Sequence, residues 1–294
     1  MTPPPPIRWL LLIGLALGCS ASARAQGPPA AARESSARAA VEKLIRQSGA
    51  DVSLAFRSLD GAQELFIAAD TPFEYPAAMK IPVMIELYAR VDAHDLRWSD
   101  SLALHSTFRS VADGSPYRLD SVAPPDIAAA RTMTLRQLCD VMMTRDSDLA
   151  ADLLIEKLGL DAIRQRMRAL GADGMDLVAG FGDTKASAQG LKNVTSARAL
   201  MVILWGLAND RIVSADASQE MMGLIARSGL PVNMPGTAPP RPAVRGPSGA
   251  DHHAATIIIG AHSFVLVTNV RGLTDPQASA ALVARIAHAI SRAM

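Results

Sequence analysis

Three shortages set the first limits on this chain of 294 residues. It has only two cysteines, aromatic side chains make up 4% of it, and 29 Lys and Arg nearly balance 28 Asp and Glu. Balanced charge with few aromatics excludes the basic, stacking surface that nucleic acid requires, and there is no acidic or basic tail. Long apolar runs are also scarce. The stretch from Trp9 to Gly18 is too short for a permanent membrane-spanning helix. Hydrophobic residues nevertheless amount to 49%, enough at this length for a large core.

The N-terminus carries an address. Arg8 precedes the apolar run, and Ala23-Arg24-Ala25 precedes Gln26, the pattern of a secretory signal cut after Ala25. Cys19 raises a lipoprotein alternative, which Ala16-Leu17-Gly18 fits poorly. The expected location is therefore periplasmic or secreted, with no membrane span in the mature chain. Cys139 would then stand alone, so no intramolecular disulfide can form. It lies among Leu135, Leu138 and Met142 at helical spacing and reads as a packed core thiol.

After a lead-in over 26–34, expected to be flexible, a helix is predicted from Ser35 or Ser36 to about Gln47, ended by Gly49. Val52–Phe56 and Glu64–Ala68 read as strands joined at Asp60-Gly61. Helices are predicted over 81–92, 134–145, 149–158, 161–170, 196–208 and 216–228. The segment 231–249 contains six prolines, which argues against a central strand through it. Thr256–Ile259 and Ser263–Asn269 read as a second hairpin, and Gln277–Ala293 as a closing amphipathic helix. Strands at both ends with helices between them imply an α/β (α+β) fold: an antiparallel sheet flanked by the terminal helices, with an all-helical insert. The expected division is an α/β part over about 35–76 and 230–294 and a helical part over about 77–229.

Few residues suggest chemistry by spacing alone. His252 and His253 are adjacent, so on a strand they point to opposite faces and do not share an ion easily. Ser115, in Asp113-Gly114-Ser115-Pro116, reads as a turn former. No metal or other cofactor is expected, and a monomer is.

Five blocks, in order, carry a resemblance. They are Phe73 to Leu87 around Lys80; Phe108 to Tyr117; Thr134 to Ile155; Gly180 to Ala186 followed by Gly190 to Ser196; and His252 to Ala255. Together they resemble the class A β-lactamase-related serine hydrolases, with a β-lactamase or penicillin-binding-protein-like fold. The resemblance implies a Ser-x-x-Lys nucleophile, a Ser-x-Asn relay, a glutamate on a later loop and a Lys-Thr-Gly strand.

Placed residue by residue, the nucleophile position is Ala77, while Lys80 is retained. The Ser-x-Asn positions fall on Asp146 and Asp148, with Ser147 between them. The glutamate position falls on Gly182, beside Asp183, which offers a carboxylate one residue late. The Lys-Thr-Gly position falls near Val244-Arg245-Gly246, where Arg245 offers a charge to a carboxylate ligand. Without an oxygen at residue 77, the implied acyl-enzyme cannot form. Lys80 beside Asp146 and Asp148 is expected to be one half of an ion pair.

The resulting expectation is a secreted pseudoenzyme of this hydrolase family. Its partner would be a small-molecule or peptidoglycan-like ligand. The alternative is an active hydrolase of β-lactams or peptidoglycan-like amides or esters, working by a non-standard route through Lys80 and Asp146 or Asp148.

Overall fold

A computed structural model describes residues 30–119, 131–228, 230 and 263–293, with the backbone alone of 232–233, 244–245 and 252–258. The expected signal over 1–25, Cys19, and the side chains of Arg245, His252 and His253 lie outside the described residues, as does most of the proline-rich segment.

The chain begins with helix α1 (Ala30–Ser48), then β1 (Asp51–Ser58) and β2 (Glu64–Ile67). Helix α1 starts earlier than predicted, so residues 30–34 are helical and not part of a flexible lead-in. Ala30-Ala31-Ala32-Arg33-Glu34 are strong helix formers, and Arg38 pairs with Glu34 one turn back at 3.7 Å. The chain closes with β9 (His252–Ile258), β10 (Phe264–Arg271) and helix α9 (Pro276–Ala293), so the second hairpin's strands run longer than predicted.

The main sheet runs β2-β1-β10-β9 antiparallel. Two short strands from the proline-rich segment, β7 (Val232–Asn233) and β8 (Val244–Arg245), finish its edge against β9. Among the described residues this segment contributes two at each place, which suits its many prolines. Alternation along β1 and β10 sorts the side chains. Val52, Leu54, Phe56, Phe264, Leu266 and Val270 join Val41, Leu282 and Ile286 under the terminal helices. Ala55, Val265 and Val267 face the helical part on the other side.

The helical part contains α2 (Lys80–Asp92), α3 (Leu135–Thr144), α4 (Asp148–Leu158), α5 (Leu160–Ala169), a short α6 (Thr184–Ala188), α7 (Ala197–Ala208) and α8 (Ala215–Arg227). Two small ladders that the sequence reading did not anticipate sit at its rim. They pair β3 (Ser101–Ala103) with β6 (Thr132–Thr134), and β4 (Thr107–Arg109) with β5 (Pro116–Arg118).

Helix α2 is the axis of this part. Its residues Lys80 to Ala89 are all buried, which is the pattern of a helix packed on every side. It runs through the core against α4 and α5. Glu86, also buried, is clamped by Arg90 at 2.7 Å and by Arg166 of α5 at 2.9 Å. No helix among the described residues is long and apolar enough to cross a membrane.

Candidate active site

The Lys80 side chain is buried at the worst end of a helix for a cation. The first turn of α2 is the positive end of the helix dipole, and Met79, at the cap position, makes no side-chain bond there. The N–H groups of this turn bond back onto the preceding loop, Lys80 to the Ala77 carbonyl oxygen at 3.4 Å and Ile81 to that of Ala78 at 3.1 Å. Lys80 is 2% exposed, so its charge must be offset nearby. The turn before α4 supplies the offset. Lys80 Nζ donates to Asp146 Oδ1 at 2.5 Å and to the Asp146 carbonyl oxygen at 2.7 Å. Asp148 Oδ1 stands 2.8 Å away as a second ion-pair partner.

Asp146 can offer both its oxygens because its backbone is left-handed, with φ at +54°. Aspartate tolerates that region better than most residues do. Asp148 is the first residue of α4, where a carboxylate is favoured by the helix dipole. Lys80, Asp146 and Asp148 are thus brought together in space. The two carboxylates remain 65% and 44% exposed, so this is a buried cation closed off by two half-solvated anions.

The remaining predicted residues occupy other roles. Ala77 is half-buried in the turn that leads into α2 and presents only a methyl group. Ser147 is the N-cap of α4, its hydroxyl accepting from Ala150 N–H at 3.2 Å. Asp183 does not stand in for a glutamate at 182. It is 3% exposed and caps α6 through Ala186 N–H at 3.0 Å. Its other bonds are from Ser110 Oγ at 2.8 Å and Val111 N–H at 2.9 Å. Both its oxygens are thus engaged in capping a helix and pinning a neighbouring loop.

Gly182 has no room for a side chain. A Cβ there would lie 2.2 Å from Leu119 Cδ2 and 2.6 Å from Leu119 Cγ. The space that a glutamate would need is filled by leucine. Phe181 of this loop reaches the lysine, its ring centroid 5.2 Å from Lys80 Nζ.

Two further groups were not anticipated from the sequence. Asp152 lies on α4 among Ala150, Ala151, Leu153 and Leu154, and is 2% exposed. It accepts from Phe181 N–H at 2.6 Å, Gly182 N–H at 3.2 Å and Tyr117 Oη at 2.8 Å. Burial nevertheless pushes its carboxyl above the usual range, against the pull of these bonds. A lone acid inside an apolar helical stretch was the available signal. Tyr75 is buried beside this site, and burial followed by the Asp146 charge holds its phenol well above the ordinary value. Among the described residues, no group of three or more His, Cys, Asp or Glu is placed to hold a metal ion.

Comparisons with known proteins add the lineage. A family model described as the beta-lactamase enzyme family matches residues 36–294. The structure is similar to a β-lactamase from Sphaerobacter thermophilus, with TM-score 0.64 at 20% identity, covering 87% of this chain and 95% of that one. PBP-A is similar at TM-score 0.66 and 17% identity, covering 87% and 95%. The ancestral class A β-lactamase GNCA is similar at TM-score 0.65 and 18% identity, covering 88% and 100%. At these identities the likeness is one of fold. No curated protein matches the chain.

Proposed function

This chain belongs to the beta-lactamase enzyme family, and we propose that it acts there by binding a ligand and not by acylation. One observation carries the reading. The residue three positions before Lys80 is an alanine, and the Lys80 ammonium is already held by Asp146 and Asp148. A nucleophile is missing, and the group that would serve it is committed elsewhere. Ser147, the hydroxyl between Asp146 and Asp148, is occupied in capping α4.

The charge at this point also bears on the ligand. One buried ammonium faces two carboxylates, both substantially exposed, so these three groups together carry one net negative charge to the surface. That charge repels the carboxylates of β-lactams and favours neutral or amine-bearing small molecules, including fragments of peptidoglycan type. Export through the N-terminal signal would place the protein where those fragments occur.

The test is calorimetric titration of the full mature chain with soluble peptidoglycan fragments carrying a free amine, beside benzylpenicillin. The expected result is reversible heat with the amine-bearing fragments and none with penicillin, with binding lost in Asp146→Ala/Asp148→Ala. Saturable penicillin binding that survives this double substitution contradicts the reading.

A further inference from the structure

A second cleft lies behind the loop that carries Phe181 and Gly182. It is bounded by the β4–β5 hairpin, the later half of α4 and the turn at Gly159, and it encloses about 600 Å³. Its floor is aromatic. Phe108 and Tyr117 stack there with centroids 5.7 Å apart and planes 29° from parallel. Asp152 and Gly180 close the deep end. They also form the partition from the Lys80 site, because Asp152 holds the backbone of Phe181 and Gly182 on the far side.

The lip contains two exposed side chains, Arg109 and Val111. Val111 is 46% exposed, one of two large apolar side chains so exposed among the described residues. Its exposure is not that of a loose loop, because its N–H is fixed to the buried Asp183 at 2.9 Å. Arg109 donates to the Gly114 carbonyl oxygen at 3.1 Å, and among the described residues no carboxylate is paired with it. The lining also holds two carboxyl groups, each already engaged: Glu156 with His105 at 2.9 Å, and the buried Asp152 with Tyr117 Oη and the Phe181 and Gly182 N–H groups.

A stacked aromatic floor, a fixed apolar lip and one exposed guanidinium with no carboxylate partner among the described residues suit a flat apolar body with one negative group. We propose that this cleft binds a small aromatic carboxylate. The site is separate from the Lys80 site, and it does not depend on the binding reading given above.

The experiment titrates the full mature chain with 1-naphthoate and with 1-naphthylmethylamine, followed by protein NMR shifts and calorimetry. Saturable binding of naphthoate is expected, with the amine at least tenfold weaker. Arg109→Ala should weaken naphthoate at least tenfold and Arg109→Lys less. Val111→Asp should also weaken it, and Asp146→Asn in the other cleft should not. Both lip residues are exposed, so circular dichroism should be unchanged by either substitution. The proposal is overturned by absence of saturable naphthoate binding, by equal binding of the amine, by indifference to Arg109→Ala, or by loss on Asp146→Asn.

Discussion

Lys80 is 2% exposed, while its partners Asp146 and Asp148 are 65% and 44% exposed, and this asymmetry decides what each side is worth. Removing both carboxylates strands an ammonium in the core, which should cost about 3 kcal/mol or more. Replacing Lys80 by Met leaves two anions that already reach water, and should cost about 1 kcal/mol or less. Urea unfolding of Asp146→Ala/Asp148→Ala and of Lys80→Met reads the difference directly. Equal costs would contradict the asymmetry. Asp152 makes a second residue-level prediction. Burial raises its carboxyl above the unfolded value of about 4. The fold therefore favours the protonated form, whose contribution is full below about pH 4 and is lost as pH rises through the raised value. The stability difference between the natural chain and Asp152→Asn should shift toward the natural chain as pH falls from 7 toward 4. A flat or opposite trend, measured by unfolding at each pH, would count against it. The gathering of Lys80 with Asp146 and Asp148 was legible because the motif blocks fixed their order. Asp152 and Tyr117 were not, since their contact across 35 residues has no local sequence signal.

At the scale of elements, the loop after Gly180 is held from two sides by buried carboxylates. Asp152 takes the N–H groups of Phe181 and Gly182, and Asp183 ties α6 to the Ser110–Val111 turn. The glycines here are steric requirements. A Cβ at Gly180 would lie 2.2 Å from Tyr117 Oη, and one at Gly182 would meet Leu119 at 2.2 Å. Gly182→Glu should therefore lower the melting temperature by several degrees, the shift expected of about 2 kcal/mol in a chain of this size. Leu119→Ala should relieve much of that loss, so the two changes should be non-additive by about 1 kcal/mol or more. Strict additivity would mean that Leu119 is not the obstacle. The major helices were legible from periodicity and caps: the predicted 134–145 appears as α3, begun by a Thr134–Gln137 capping box. The β3–β6 and β4–β5 ladders were not. Three-residue strands carry too little alternation to register. Leu119 was missed as an occupant of the site for the same reason, since the rim strand that delivers it was unseen.

At the scale of the molecule, the sheet joins the two ends of the chain. Strand β1 pairs with β10 in the register Asp51 to Arg271 through Ser58 to Phe264, and the terminal helices cover the outer face. This arrangement was legible from strands predicted at both ends and helices between them. The fold of the family is therefore kept around Lys80, Asp146 and Asp148, and on the reading proposed above Ala77 leaves this site without a nucleophile. Ala77 packs against the same core as its neighbours, so the fold does not need a hydroxyl at that position. The chain is expected to fold fully and to remain inert.

The most direct measurement is the intact mass of the purified mature chain after prolonged incubation with a penicillin, with absorbance of a chromogenic cephalosporin followed in parallel. The account predicts an unchanged mass and no turnover. A covalent adduct on the natural chain, or sustained hydrolysis, would contradict it and require a nucleophile other than residue 77.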